Sequence, residues 1–370
     1  MARVLILHVG APKTGTTYLQ RVLWSNRALL AEHGIDLPLG DRNRQLAAAA
    51  QLREAPWAQD LPRAGWRDLA AAVDAVPGTA VVSDEVLCRT APERIRMFLD
   101  AIAPGTQVRV VYGARDPGRQ VPAMWQHAVR ARGQVTFAAY LDRLRDDADA
   151  PYWQEQDPVH ALNRWGAFVK PGEFHLLTVP GPDAEPSLLW QRFAGILGLD
   201  PARATLPEGL RNESLGLAET EVLRRLNARL GERFPLRRRY VHAVRHNLIA
   251  PGLESAPDRT RILVPDDAAP WLTRRAEAVV AELAARGDEV TVAGDLAELA
   301  LPIATAGADT PDRLDDGALL DALLDAVLRQ LEHLEVRQSA RSARIRELQA
   351  AVDRPTALQR ARARLRRGRR

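Results

Sequence analysis

Val4-Leu-Ile-Leu-His-Val-Gly-Ala-Pro-Lys-Thr-Gly-Thr-Thr-Tyr-Leu-Gln20 is the stretch that decides the fold. A short β-branched and aliphatic run ends in a glycine-bracketed loop, and a helical pattern begins directly behind it. Strand, Gly-rich loop and helix N-terminus in that order make an anion site. The unpaired N–H groups of the first helical turn and the positive end of the helix dipole converge on one spot. Lys13 adds a full charge, and Thr16 and Thr17 add hydroxyl donors. The group expected there is a phosphate or a sulfate.

Spacing separates two kinds of loop. A Walker A loop runs G-x-x-x-x-G-K-[ST]. Gly10 and Gly15 keep that separation, but Thr16 stands where the lysine belongs, and the lysine lies inside the loop at position 13. Of the 51 Lys and Arg residues only Lys13 and Lys170 are lysines. A chain so biased toward arginine has placed a compact, rotatable ammonium in its anion loop, where it suits a single bridging oxygen better than a planar guanidinium does. Lys13-Thr-Gly-Thr-Thr17 after a proline resembles the phosphosulfate-binding loop of sulfotransferases that use 3′-phosphoadenosine-5′-phosphosulfate (PAPS).

The bulk properties set outer limits. At 370 residues the chain holds one large domain or two modest ones, and 46% apolar with 26% charged residues is ordinary for a soluble globular protein. Cys88 is the single cysteine, which excludes a disulfide scaffold. No apolar run reaches the length of a membrane span. Arg3 and the run after it superficially look like a signal peptide, but His8 and Gly10 break the run, so the expected compartment is cytoplasmic. Residues 360–370 carry seven arginines and no acid; the remaining chain has 44 basic against 47 acidic residues. The basic character is therefore a tail, and no nucleic-acid-binding face is expected.

Strand-like runs occupy 3–9, 79–83, 107–113 and 174–179, and helical patterns occupy 16–31, 92–103, 119–131, 136–147, 157–169 and 186–197. Further helices are expected at 217–231 and 267–286, with an irregular, Arg- and Pro-rich segment at 232–265 covering the site. Strands alternating with helices predict a parallel sheet covered on both faces, with ligands beyond the carboxyl ends of the strands. The expected fold is thus an α/β, three-layer P-loop-type parallel sheet flanked by helices, with a C-terminal helical extension. The expected divisions are an α/β domain over 1–303, a linker over 304–317, a long amphipathic helix or coiled coil over 318–354, and a basic tail over 355–370.

The ends of the second and third strands carry the remaining chemistry. Arg115-Asp-Pro-Gly-Arg-Gln-Val-Pro-Ala-Met-Trp125 delivers an arginine at a strand end into a helix start, well placed for bidentate phosphate binding. It resembles the sulfotransferase element that grips the 3′-phosphate, although Ala123 replaces the hydroxyl residue of that pattern. Ser83-Asp-Glu85 ends an apolar strand in acids. As a Walker B element its Asp would hold Mg²⁺; as part of a sulfotransferase, Glu85 by its longer reach, or Asp84 second, would act as general base. Either acid could instead cap the following helix. His8 reads as a packed core residue, and His127 as a group near the acceptor. His242 and His246 have zinc-ligand spacing but lack the glutamate of H-E-x-x-H, so no metal is expected.

Softer similarities to bacterial sulfotransferases include Trp153, Trp165, Phe174–Pro180, Leu189–Pro201, Asn212–Gly216 and Val290–Leu296, so the resemblance spans about residues 1–300. It implies transfer of a sulfuryl group from PAPS to a hydroxyl or amine, without a metal. Thr14, Gly15, Thr16 and Thr17 would cradle the phosphosulfate, Lys13 would act in catalysis, and Arg115 would hold the 3′-phosphate. The acceptor class stays open among sugar, lipid, peptide and small molecules, with its pocket expected in loops around 34–66 and 232–260 that carry Trp57 and Trp66. Two other functions fit the same residues: an ATP-dependent P-loop phosphotransferase or NTPase, and a non-catalytic nucleotide-binding scaffold.

Beyond the linker, Leu320, Leu324, Val327, Leu331, Leu334, Gln338, Arg341, Ile345, Leu348 and Val352 keep a four-three spacing up to Pro355. That pattern predicts either a coiled coil, joining copies of the chain through 318–354, or one amphipathic helix docked on the body. The Arg tail is suited either to weak contact with an anionic membrane surface or to free solution.

Overall fold

The computed structural model describes residues 3–352, apart from 62–63, 208–214, 257–258 and 308. The basic tail and the Asn212–Ser214 part of one soft similarity lie outside the described residues. Six parallel strands form one sheet: β1 (Val4–His8), β2 (Ile35–Asp36), β3 (Thr79–Ser83), β4 (Gln107–Ala114), β5 (Phe174–Thr178) and β6 (Thr291–Ala293), in the order β2-β3-β1-β4-β5-β6. The chain goes from β1 out to the edge strand β2, steps back to β3 beside β1, then crosses over β1 to β4. That reversal puts the carboxyl ends of β1, β3 and β4 side by side, the place where open α/β sheets leave a crevice.

Alternation along the strands explains the layers. Leu5 and Leu7 face one apolar core with Ile95, Phe98 and Trp165, while Ile6 faces another with Val22, Leu23 and Phe193. Val110 and Tyr112 against Val111, and Leu176 against Leu177, repeat the division on β4 and β5. Both faces of the sheet are thus covered, which is why these strands read as near-continuous apolar runs. A third core, around Trp125, Phe137 and Trp153, lies among helices and includes Leu319 and Ala326 from the C-terminal helix.

Several expectations need correction. The helical pattern over 16–31 is two helices, Thr16–Ser25 and Arg27–Glu32, broken at Asn26, whose side-chain amide donates to Val22 O (2.8 Å) and Thr205 O (2.9 Å). The region 34–66, read as loop, contains β2 and the helix Arg42–Leu52, and Trp66 is a buried core residue at the start of the helix Trp66–Asp74. The alanine run 47–50 carries little periodicity, yet packing buries every one of those side chains. Residues 237–253 are helical rather than irregular: one α-helical turn, Arg237–Tyr240, leads into a π-helix, Val241–Leu253. The stretch read as a linker runs along the body. Thr305 pairs with Val264, and the Asp312 carboxylate accepts the N–H groups of Phe137 (3.1 Å) and Ala138 (2.6 Å).

Candidate active site

The β1 loop lies at the centre of the crevice and is held from several sides. Val9 N–H donates to Val111 O (2.9 Å) and Ala11 N–H to Gly113 O (3.3 Å), tying the loop to β4. Thr14 Oγ1 donates to Ala11 O (2.6 Å), and Gln120 Nε2 donates to Pro12 O (2.7 Å). Two residues then turn left-handed, Lys13 at φ 69° and Gly15 at φ 85°. For a lysine that conformation is uncommon and costs energy, so the surrounding bonds must impose it. At Gly15 a Cβ would lie 2.3 Å from Leu189 Cδ2, so only glycine fits. With no side chain at Gly15 to cap it, the helix Thr16–Ser25 begins with its first N–H groups open; the first bond is Leu19 N–H to Gly15 O (3.0 Å). Thr16 is buried, while Thr17 is exposed at the helix start.

Lys13 is half-buried, and its Nζ has no hydrogen-bond partner among the described residues. Burial, with the nearby charge of Arg130, lowers its pKa to about 8. Glu85, Arg245 and Glu254 also act on it, so the ammonium sits inside the crevice. A desolvated cation beside an open helix N-terminus is complementary to an anion.

The two acids at the end of β3 divide their roles. Asp84 is buried and caps the following turn, its Oδ1 accepting Val86 N–H (2.9 Å); burial, with Glu85 next to it, raises its pKa to about 7. Glu85 is half-buried and faces the charge of Lys13. Its Oε2 accepts from Gln20 Nε2 (3.0 Å), which also donates to Ser83 O (3.1 Å), while Arg42 Nη2 donates to Gln20 Oε1 (2.7 Å). Gln20 thus aims Glu85. Its signal in the sequence is a polar residue four positions after Thr16, on the face of the helix that the core requires to be apolar.

Arg115 lies at the end of β4, half-buried, with Nη1 donating to Lys13 O (3.4 Å) and its fully buried Nε unpartnered. Burial, with Arg119 nearby, lowers its pKa to about 10, and Arg261 adds a further positive charge. A cavity of about 40 Å³ opens beside it, walled also by Tyr152, Gln156 and Arg275. Asp116 caps the helix Pro117–Arg130, accepting Arg119 N–H (2.9 Å). Ala123 lies in that helix, half-buried.

The far end of the same helix brings His127 together with groups that motif spacing did not single out. His127 is open to solvent yet crowded by protein, and burial, with the charges of Lys13, Arg130 and Arg245, lowers its pKa to about 4. Arg130 is ion-paired with Glu254, just past the π-helix, and Arg245 comes from within it. The sequence points to His127 through its place after the Arg115 element and to Arg245 only through the arginine density of 232–265; nothing local points to Arg130. The expected core role of His8 holds: it is buried, with Nδ1 2.8 Å from Ser83 Oγ. Arg237 lies over the Trp57 ring (5.2 Å), so the two regions expected to frame the acceptor do meet.

Among the described residues no group of three or more His, Cys, Asp or Glu is placed to hold a metal, and no helix is long and apolar enough to cross a membrane. Compared with family models, curated proteins and solved structures, the chain matches none.

Proposed function

We propose that the crevice at the carboxyl ends of β1, β3 and β4 is the active site of a PAPS-dependent sulfotransferase on a P-loop-type fold. The observation that carries this reading is Lys13: a half-buried ammonium ahead of the second glycine, beside an uncapped helix N-terminus and in the field of a carboxylate. In this scheme the N–H groups of residues 14–17 and the Thr16 and Thr17 hydroxyls hold the 5′-phosphosulfate. An acceptor hydroxyl oxygen attacks sulfur, the bond from sulfur to the bridging oxygen breaks, and the nucleotide leaves as 3′-phosphoadenosine 5′-phosphate. Glu85, oriented by Gln20, takes the acceptor's proton, and Lys13 balances the charge that grows on the bridging oxygen. His127, held neutral by its surroundings, is the second proton acceptor within that field. Arg115 offers its unpartnered buried Nε to the 3′-phosphate, which would separate this donor from ATP.

Calorimetric titration tests the proposal directly. The expected result is binding of 3′-phosphoadenosine 5′-phosphate without added metal, at least tenfold tighter than ATP with Mg²⁺. Tight ATP–Mg²⁺ binding with no affinity for the bisphosphate would overturn it in favour of a phosphotransferase. Affinity for the bisphosphate with no sulfate transfer to any acceptor in a sugar, lipid, peptide and phenol panel would favour a binding scaffold.

A further inference from the structure

The C-terminal helix Asp316–Val352 uses its faces differently. One face docks on the body: Leu319 and Ala326 are buried, Arg329 Nε donates to Gly252 O (2.8 Å), and Asp316 pairs with Arg225 (2.7 Å). On the heptad frame of the sequence, Leu319 and Ala326 are c positions, and Ala322 and Arg329 are f positions. The opposite face is bare. Outside this helix the only large apolar side chains exposed among the described residues are Val135 and Leu236. Within it Leu320, Leu323, Leu324, Val327, Leu328, Leu331, Leu334, Val336, Ile345 and Leu348 are all exposed. All but Val336 fall at a, d, e or g, the positions that a coiled-coil seam covers.

We propose that a second copy of this chain covers this face, the two helices forming a parallel, in-register coiled coil with the two bodies on its outer sides. Docking uses c and f and part of the g edge, where Gln330 is half-buried and Arg337 donates to Asn247, and leaves the a, d and e positions open. From Leu320 to Leu348 the seam runs about 42 Å, and on the order of 1,500 Å² over both helices would leave water, within the range of stable interfaces. The charge pattern favours the parallel pairing. Its g-to-e pairs along the apolar seam are Leu323 with Leu328, Gln330 with Glu335, Arg337 with Ser342 and Arg344 with Gln349, none of like charge; the like-charged Asp316 and Asp321 meet only at the first turn, where Asp316 is paired with Arg225. The antiparallel register that aligns the polar layers sets Arg337 against Arg344 and leaves Leu320 and Leu324 beyond the end of the other helix. Gln338 at a pins the register, as a single buried polar layer does. Arg341 at d must turn its head out of the seam and weakens the distal half.

The test is made on the full chain. Light scattering and sedimentation should give twice the 40.8 kDa of one chain, and Leu324→Glu with Leu331→Glu should halve that mass while the thermal transition of the body stays. Cys88 is buried, so Leu331→Cys introduces the one accessible thiol among the described residues. It should cross-link two chains under mild oxidation, because a parallel in-register seam places position 331 opposite itself. Arg341→Leu should lower the dimer dissociation constant at least tenfold. A monomeric wild-type chain overturns the proposal, as does a dimer that survives the double glutamate substitution. A dimer without cross-linking at position 331 overturns the parallel register. Binding of monomeric chain to anionic phospholipid vesicles, lost in the double variant, assigns the face to lipid and overturns it too.

Discussion

The β1 loop and the C-terminal helix each break a rule of folded surfaces, in opposite senses. At the loop a cation is drawn partly out of water, with no hydrogen-bond partner for Lys13 Nζ among the described residues and a pKa brought down to about 8. Along the helix, leucines that could pack are left in water, Leu324 at 52% and Leu331 at 56% exposure. A desolvated ammonium is unfavourable until an anion arrives, and an exposed leucine stripe is unfavourable until another apolar surface arrives. Under the two proposals above, the regions describe what each lacks: a negatively charged small molecule at one end, an apolar helix at the other. Elsewhere the fold is conventional, with strands buried on both faces and the helix ends of Asp41, Asp116, Thr136 and Asp157 capped by their own side chains.

The strongest way to break the contrast is Lys13→Met. If the ammonium exists for catalysis, turnover falls on the order of 10²-fold or more, while resistance to urea holds or rises, since a desolvated charge has been removed. A variant that loses stability and activity together would make Lys13 a structural residue. Next, Arg115→Met should cost about 10- to 100-fold in affinity for 3′-phosphoadenosine 5′-phosphate and far less for the analogue lacking the 3′-phosphate; equal losses would remove the assigned contact.

A third prediction follows from the sign of the Lys13 shift. Below pH 8 the folded chain holds the ammonium charged and ready for an anion; above it the proton leaves. A bound anion favours the charged form, so affinity for the bisphosphate should be level up to about pH 8 and then fall by as much as tenfold per pH unit. The folded pKa lies below the unfolded value near 10.5, so the unfolded chain binds more protons between the two. The contribution of this group to stability therefore rises over pH 8 to 10.5, and urea midpoints of wild type minus Lys13→Met should show that slope. The smallest effect concerns the seat of the helix. At Gly252 a Cβ would lie 2.7 Å from Ala326 O, so Gly252→Ala should destabilise docking by about 1–3 kcal/mol. The visible result is faster proteolysis near residue 316, with activity largely kept.

Where the chain obeys a short-range rule, its structure was legible. β1, β3, β4 and β5 are runs buried on both faces, and their positions follow from apolar composition alone. The two-residue β2 and three-residue β6 carry too few residues for any period, and the alanine-rich helix 42–52 has no stripe to read. The strand–loop–helix junction at residues 4–25 was legible because glycine spacing and one apolar run are local facts. The surroundings of Lys13 were not. Arg130, Arg245 and Glu254 reach it only through the length of one helix and the extra residue per turn of a π-helix, and no spacing rule encodes that. The heptad offered a choice between docking and coiling; the structure docks the c and f face with part of the g edge and leaves the a, d and e stripe exposed.

The π-helix Val241–Leu253 holds both stories in thirteen residues. Arg245 near its start reaches the loop cation, and Gly252 near its end seats Ala326 of the long helix, with Arg337 and Asn247 joined between them (3.2 Å). One short helix thus carries both a charge that acts on Lys13 and the seat of the long helix.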